Sequence, residues 1–292
     1  MTPDIPALHG DGISVGYSGQ EVLTELSVTV PGGRITTLIG PNGSGKSTLL
    51  KALGRVQPLT AGTVALDGED IHRMPTRAVA RKLGLLPQSP LAPEGITVAD
   101  LVRRGRHPHG RSLGRGAAGD TDAVAEALEL TGTAEFALRP VDSLSGGQRQ
   151  RAWIAMVLAQ STPILLLDEP TTPILLLDEP TTFLDIAHQI EVLELLSSLR
   201  HDHGKTVLLV LHDLEQAAAY SDQIVALKQG EIAAVGNPSD VVTEAFVAEV
   251  FGLACRVIHD PDTGSPLILP RGKISRERAP QPQDVRTKED TR

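Results

Sequence analysis

The sequence predicts an α/β fold with a mainly parallel sheet, and three observations lead to this expectation. Short aliphatic runs recur along the chain, and several are continuously apolar, as are strands buried on both faces of a parallel sheet. Segments with helical spacing of apolar residues separate these runs. A glycine-rich loop also joins one run to the start of a helix, in the strand, loop, helix order of an α/β unit.

The predicted strands are short and aliphatic. Aromatic residues make up only 2% of the chain, so the core is expected to consist of Leu, Val, Ile and Ala. Side chains on which bases could stack are correspondingly scarce. The predicted strands are Arg34–Ile39, Val64–Leu66, Leu83–Leu86, Ile174–Leu177, Val207–Leu211 and Ile224–Leu227.

Helices dominate the pattern between residues 88 and 160, which predicts a helical insert between two strands of the sheet. A later amphipathic helix leads back to the sheet and ends before a glycine stop at Gly204. The predicted helices are Thr97–Arg104, Asp122–Leu130, a third from Gly146 to about Gln160, and Ile186–Leu199.

The composition is that of a globular protein that does not attract polyanions. Apolar residues are 40% of the 292 residues, charged residues 22%, and the net charge is −9, so nucleic acid is not expected as a partner. The single cysteine, Cys255, lies in no metal-ligand spacing and indicates a reducing compartment. No apolar run reaches the ~18 residues of a membrane span, and Met1–Gly10 does not resemble a signal peptide. Any membrane role is therefore expected to come through a partner, and Arg271–Arg292 is predicted to be a disordered tail.

The glycine-rich loop at Gly40–Thr48 fits the pattern G-x-x-x-x-G-K-[ST] after a strand and before a helix. Its glycines let backbone N–H groups turn toward phosphates, and the helix N-terminus adds a favourable dipole. Lys46 is expected to reach the β- and γ-phosphates, and the Ser47 hydroxyl to ligate Mg²⁺. The sequence therefore predicts a site for a nucleoside triphosphate, formed by Gly40, Pro41, Asn42, Gly43, Ser44, Gly45, Lys46, Ser47 and Thr48.

A second element of the site is the aliphatic strand that ends in the carboxylates Asp178 and Glu179. A strand places the first carboxylate at the sheet edge, close to the metal, and the next beside the γ-phosphate. Asp178 is expected to hold Mg²⁺, and Glu179 to orient and polarise the attacking water. Alone, such a pair is usually a solvated strand end, but the phosphate loop favours the catalytic interpretation.

The segment Leu144–Gln148 opens a helix with Ser145, Gly146, Gly147 and Gln148, a second anion-accepting N-terminus that one nucleotide site does not require. Together with the phosphate loop, Gln88, Asp178, Glu179, Thr182–Asp185 and His212, it resembles the motif set of ABC-transporter ATPase cassettes. The resemblance spans roughly residues 10–253. It implies a P-loop NTPase core with a mainly parallel sheet, a small antiparallel β part and a helical family-specific subdomain at about 89–160. Residues 254–270 would form a C-terminal extension, followed by the tail at 271–292.

The resemblance also implies ATP and Mg²⁺ as cofactors and a head-to-tail homodimer, in which Ser145–Gln148 of one copy completes the ATP site of the other. Gln88 matches the family's glutamine loop, which touches Mg²⁺ and couples to the membrane subunit. His212 matches the switch histidine that contacts the γ-phosphate. Tyr17 matches the aromatic that stacks on adenine, although packing is nearly as common for such a residue. Asp185 matches the aspartate of a loop that crosses the dimer interface.

Within that family, Arg104–His109 and Arg151–Met156 resemble the branch that powers import of iron–siderophore complexes, close to the haem and cobalamin importers. This implies transmembrane permease subunits as partners, an external substrate-binding protein as an indirect one, and a place at the cytoplasmic face of the membrane. Arg103, Arg104, Arg106 and Arg111 form a basic cluster that either faces the permease and lipid or is a solvated loop.

The chain departs from the family pattern at a tandem repeat, because Thr162–Thr171 and Thr172–Thr181 are the same ten residues, TPILLLDEPT. A local duplication is the simplest account, and an error in the determined sequence is the alternative. If Ile174–Glu179 fills the strand, Glu179 keeps the family spacing to Asp185, and this arrangement is predicted. The competing register, with Ile164–Glu169 in the strand, pushes the second copy out between the carboxylate and the interface loop. Since the copies are identical, only their flanks decide between the registers.

Two other functions stay open at this level. A soluble ABC ATPase that does not transport usually carries a coiled-coil insert or two fused cassettes, and this chain shows neither. A cassette impaired in hydrolysis is the second alternative, because the repeat places surplus residues beside the catalytic carboxylates. The transported compound itself is not encoded here, since selectivity belongs to the permease and the external binding protein.

Overall fold

The computed structural model describes residues 7–17, 19–88, 90–109, 118–171 and 182–271. The strands in these ranges are β1 (Leu8–Tyr17), β2 (Gln20–Val30), β3 (Ile35–Ile39), β4 (Ala61–Leu66), β5 (Glu69–Asp70), β6 (Leu83–Leu86), β7 (Ile164–Asp168), β8 (Thr206–Val210), β9 (Gln223–Lys228), β10 (Glu231–Gly236), β11 (Cys255–His259) and β12 (Pro266–Pro270). The helices are α1 (Lys46–Leu53), α2 (Thr76–Lys82), α3 (Val98–Arg104), α4 (Ala118–Leu130), α5 (Gly146–Ala159), α6 (Thr182–His203), α7 (Leu214–Tyr220), α8 (Pro238–Val241) and α9 (Glu244–Phe251).

A six-stranded sheet in the order β10-β9-β3-β8-β7-β6 forms the centre of the fold. Its strands are parallel from β9 to β6, and only β10 runs antiparallel, against β9. Every residue of β3, β7 and β8 is buried, which explains why β7 and β8 each carry four consecutive aliphatic residues. The predicted α/β class with a mainly parallel sheet is confirmed.

Two hydrophobic cores lie on opposite faces of this sheet, and alternate residues of each strand enter one or the other. In β7, Leu165 and Leu167 join the core shared with the helices α3 to α7, while Ile164 and Leu166 join the core beneath α1 and the second sheet. A fully buried Leu or Ile contributes about 1.5–3 kcal/mol. A strand with aliphatic residues on both faces is therefore held firmly between the two layers.

The second sheet is antiparallel, with the order β2-β1-β4-β5, and a small hairpin of β11 and β12 follows α9. A small antiparallel β part was expected from the family resemblance, but the strands that form it were not identified from the sequence. The alternation of Leu26, Val28 and Val30 with polar residues is the signal that marks β2. Among the described residues, no helix is both long and apolar enough to cross a membrane.

The structure settles the register of the tandem repeat against the prediction, since the first copy forms β7. Ile164–Asp168 pairs with β6 on one side and β8 on the other, in parallel register along its whole length. The predicted strand Ile174–Leu177 and the carboxylates Asp178 and Glu179 lie outside the described residues. The prediction that Ile174–Glu179 fills the strand is therefore wrong in this structure.

The flank before the repeat gives the physical reason. The turn between α5 and β7 is only four residues long, and several side chains hold it. Arg106 donates to Ala159 O at 2.7 Å and Ser161 Oγ at 2.9 Å, and Lys205 donates to Thr162 O at 2.8 Å. These contacts place the chain at the beginning of β7 when it leaves α5, so the first copy enters the sheet.

Two further expectations change with the structure. The helix predicted over Ile186–Leu199 begins at Thr182, so the backbone of Asp185 lies in the first turn of α6 rather than in a loop. Arg106 is neither solvated nor free to face a membrane, because it forms an ion pair with Asp120 at 2.8 Å besides holding the turn. Arg111 and the tail beyond Arg271 lie outside the described residues.

Candidate functional site

The segment Gly40–Thr48 begins directly after β3 and includes the first three residues of α1, in the strand, loop, helix order that was predicted. A Cβ at Gly40, whose φ is +145°, would lie 2.1 Å from the carbonyl oxygen of Leu227, so this position excludes every side chain. Gly45 is the residue before the helix, and its φ of +99° is a conformation that favours glycine. The loop backbone can therefore wrap around a ligand above the N-terminus of α1.

Lys46, the first residue of α1, folds its side chain back over this loop. Its Nζ donates to Gly40 O at 2.8 Å and to Pro41 O at 3.0 Å, and the residue is 5% exposed. Burial lowers the pKa of Lys46, whereas the nearby carboxylates Glu169 and Asp168 act in the opposite direction. A buried cation whose hydrogen bonds go to backbone carbonyls is well placed to bind an anion that enters the loop.

The next residue, Ser47, connects the loop to the end of β7. Its hydroxyl donates to Asp168 Oδ1 at 2.8 Å, and Lys51 Nζ lies 3.7 Å from Asp168 Oδ2. That second oxygen is buried and has no hydrogen-bond partner among the described residues. Burial raises the pKa of Asp168, although the Ser47 hydrogen bond and the Lys51 charge lower it. The pair offers hard oxygen donors, one of them unsatisfied, beside the phosphate loop.

Three polar side chains meet above the loop from the carboxyl ends of three adjacent parallel strands. Glu169 follows β7, and its Oε2 accepts a hydrogen bond of 2.7 Å from Gln88 Nε2, which follows β6. His212 follows β8, and its Nε2 contacts Glu169 Oε1. Glu169 is only 7% exposed, with a φ of +52° that L residues rarely adopt. The sheet thus brings one carboxylate between an amide and an imidazole.

These groups line a cavity of about 800 Å³, a size suited to a small-molecule ligand. The cavity is polar at the loop and at the carboxylate, and Val22 and Phe251 add apolar wall. The residues that line it are Val22, Gly40, Pro41, Asn42, Gly43, Ser44, Gly45, Lys46, Ser47, Thr48, Gln88, Glu169, His212 and Phe251.

Other predicted site residues lie elsewhere. Tyr17 ends β1, is 44% exposed, and is not among the described residues that line the cavity. Ser145 and Gln148 cap α5 reciprocally: the Ser145 side chain accepts from the Gln148 backbone, and the Gln148 side chain from the Ser145 backbone. The segment Ser145–Gln148, including Gly146 and Gly147, is likewise outside the cavity lining of its own chain. The side chain of Asp185 and all of Asp178 and Glu179 lie outside the described residues.

Four residues of the site were not predicted from the sequence. Asp168 and Glu169 carry the same signal as Asp178 and Glu179, so the pattern marked them but the wrong copy was chosen. Val22 lies near the start of β2, and Phe251 is the last residue of α9. No sequence motif at either position indicates a ligand. Only the tertiary structure shows that both residues line the cavity.

Comparison with known proteins agrees with this geometry. The model of the ABC transporter family matches residues 23–172, just over half of the chain. The chain belongs to the ABC transporter family. The match ends at the first residue of the second repeat copy, so the family pattern runs through the copy that forms β7.

Individual relatives extend the likeness to nearly the whole chain. The ferric enterobactin transport ATP-binding protein FepC of Escherichia coli is 46% identical over 275 residues, 94% of this chain and 98% of its own. The achromobactin transport ATP-binding protein CbrD of Dickeya dadantii is 50% identical over 267 residues, 91% and 96% of the two chains. A solved inward-facing structure of a putative metal-chelate type ABC transporter gives a TM-score of 0.76 at 26% identity, over 92% of this chain and 98% of that one.

The chain is accordingly a nucleotide-binding ATPase of this family.

Proposed function

We propose that the chain is the ATP-hydrolysing motor subunit of an ABC importer for iron–siderophore complexes. The observation that carries the proposal is the meeting of Glu169 with Gln88 and His212 above a complete phosphate loop. The substrate class is supported by the relatives above, which are named for the transport of ferric enterobactin and achromobactin. We place the ATPase domain at residues 10–253, with the helical subdomain at about 89–160 and a C-terminal extension at 254–270.

ATP binding follows from the loop and Lys46. The backbone N–H groups of Gly40–Thr48 and the dipole of α1 would hold the β- and γ-phosphates. Lys46 would exchange its hydrogen bonds to Gly40 O and Pro41 O for phosphate oxygens, a stronger charge-assisted contact. Because the Lys46 cation is buried and donates to neutral carbonyl oxygens, a triphosphate supplies a better-matched negative charge.

The residues present also fit Mg²⁺. The Ser47 hydroxyl and the carboxylate of Asp168 are hard oxygen donors, and among the described residues Asp168 Oδ2 has no hydrogen-bond partner, only the Lys51 ammonium at 3.7 Å. We assign the metal to Ser47, Asp168 and Gln88, with Asp168 in the role that the sequence analysis gave to Asp178. When bound, the metal supplies positive charge against the β- and γ-phosphate oxygens.

Glu169 would position the attacking water and accept its hydrogen bond, as a general base does. Gln88 and His212 contact the two oxygens of Glu169, so they would release it in part when the γ-phosphate enters. His212 is 45% exposed at its side chain and can then turn toward the γ-phosphate. Glu169 thus takes the role that the sequence analysis gave to Glu179.

A second copy of the chain would complete the site. The segment Ser145–Gln148 presents a capped helix N-terminus, and it lies outside the cavity lining of its own chain. Such a segment serves the site best from a two-fold partner. In this arrangement we assign Tyr17 to the adenine, and Asp185 to the interface between the copies.

We place this dimer on the cytoplasmic side of a permease, bound to its transmembrane subunits, with an external substrate-binding protein as an indirect partner. ATP would close the two copies, closure would move the permease, and hydrolysis would reset it. Gln88 lines the cavity two residues after the end of β6, and we assign to it the link between ATP and the permease.

The test combines enzyme and transport measurements. Purified chain should hydrolyse ATP in a Mg²⁺-dependent manner, and Glu169→Gln should remove that activity while leaving ATP binding intact. Cells that lack the chain should lose uptake of radioactive iron supplied as ferric siderophore, and the wild-type gene should restore it.

The two parts of the proposal fail separately. Absence of ATP hydrolysis by the wild-type chain, alone and with its permease, would refute the motor function. Normal iron uptake in the deletion strain, from both catecholate and hydroxamate siderophores, would refute the substrate class and leave the ATPase assignment in place.

A further inference from the structure

The imidazole of His188 on α6 lies directly against the backbone of Gly147 on α5. A Cβ at Gly147 would lie 2.7 Å from His188 Cγ and 2.8 Å from His188 Cδ2, closer than real Cβ contacts come. The ring therefore fills the space that any larger residue at Gly147 would need. A side chain at Gly147 would therefore require the His188 ring to move.

A second contact fixes the ring and the two helices. His188 Nδ1 lies 3.3 Å from Glu191 Oε2, and Arg151 NH1 donates to the same oxygen at 3.2 Å. Gly147 and Arg151 are one turn apart on α5, as His188 and Glu191 are on α6. Two contacts one turn apart define both the distance between the helices and their relative rotation.

The position of these contacts gives them a function. Gly147 lies in the first turn of α5, between Ser145 and Gln148 of the capped N-terminus. Thirteen residues, which include the second repeat copy, lie between β7 and α6 in the sequence. Side-chain contacts hold α6 against the first turn of α5, and those of His188 with Gly147 and of Glu191 with Arg151 are among them.

We propose that His188 is a positioning residue that, packed on Gly147 and bonded to Glu191, holds the N-terminus of α5 in the orientation needed to bind the triphosphate of a second copy. The proposal rests on the proposed function, because it assumes that Ser145–Gln148 acts on the partner's nucleotide. Displacement of a binding group by about 1 Å can cost on the order of 100-fold in rate. Greater mobility of the α5 N-terminus would thus lower turnover although His188 itself makes no contact with the nucleotide.

The first experiment compares His188→Ala with His201→Ala, an exposed histidine near the end of the same helix. His188→Ala should lower kcat at saturating ATP by about tenfold or more, with unchanged ATP affinity of the isolated single chain, since the cavity residues are intact. His201→Ala should leave both values unchanged. His188→Asn, which retains a nitrogen near Nδ1, should restore most of the turnover.

The second experiment is a double-substitution cycle with Gly147→Ala, read by melting temperature. Gly147→Ala should destabilise the wild-type chain clearly, and the His188→Ala variant much less, because the ring that meets the new Cβ is gone. Independent, additive losses would overturn the packing argument, and wild-type kcat in His188→Ala would overturn the positioning role. Lack of any ATPase activity in the wild-type chain would instead count against the proposed function.

Discussion

The amide of Gln88 donates a 2.7 Å hydrogen bond to the carboxylate of Glu169, and His212 contacts the other oxygen of the same carboxylate. Glu169 is thereby the acidic residue that the folded chain places in the nucleotide cavity. Glu169 belongs to the first repeat copy, so these two contacts point to the first copy as the catalytic one. A single Glu→Gln substitution in each copy tests this assignment.

Glu169→Gln should reduce ATP turnover by about 100- to 10,000-fold, the usual contribution of a general base. ATP binding should persist, because Lys46 and the loop are unchanged. The matched variant Glu179→Gln alters the same residue type in the second copy and should retain most of the activity. Steady-state hydrolysis and nucleotide titration of both variants decide the matter, and inactivity of Glu179→Gln alone would return catalysis to the second copy.

Deleting one repeat copy should stabilise the chain and raise its turnover. Removal of Thr162–Thr171 or of Thr172–Thr181 gives the same sequence, so a single variant tests the insert. It removes four large aliphatic residues for which β7 has no room, and it ends the competition between registers. Each 1 kcal/mol gained should raise the melting temperature by roughly 2–4 °C. An unchanged melting temperature and ATPase rate would show that the insert costs nothing.

Arg106→Ala should destabilise the turn that directs the first copy into the sheet. The side chain forms an ion pair with Asp120 and donates to Ala159 O and Ser161 Oγ, and charged hydrogen bonds of this kind are worth about 1.5–3 kcal/mol. In the full chain the substitution should lower both stability and turnover, because it frees the competing register. In the chain without the repeat only stability should fall, and equal losses of turnover in both chains would contradict this account.

Asp168→Asn should abolish catalysis but stabilise the fold at neutral pH relative to the wild type. Burial raises the pKa of Asp168 above its ordinary 3.8, so the ionised carboxylate is a cost to the folded chain without ligand. That cost is absent below pH 3.8, grows as the pH rises through the raised pKa, and is constant above it. The difference in melting temperature, variant minus wild type, should therefore increase from acid to neutral pH. The Mg²⁺-dependent turnover of the variant should be lost.

Asp142→Asn, at an exposed position, is the control for replacing a carboxylate by an amide. Melting curves of nucleotide-free protein across the acid range provide the measurement. A gain that is equal at every pH would mean that the substitution acts through packing rather than through the charge of Asp168.

Local patterns were enough to predict much of this molecule. The glycines of Gly40–Thr48 determine the conformation of that loop, and β8 is recognisable because strands buried on both faces contain continuous aliphatic runs. The capped start of α5 is equally local, since Ser145 and Gln148 satisfy each other's backbone. Gln88 and His212 were found as members of a motif set, and the sheet then placed them beside one carboxylate.

The repeat could not be resolved in the same way, because two identical segments have identical propensities. Their order in space depends on Arg106, Lys205 and the short turn after α5, which are contacts between residues far apart in sequence. The packing of His188 on Gly147 is likewise a contact between residues far apart in sequence, and no local pattern in either segment predicts it. The sequence by itself determined an α/β nucleotide-binding chain with its phosphate loop and its capped α5. Only the tertiary structure decided that Glu169 is the carboxylate in the site, because that choice depends on long-range packing around the strand.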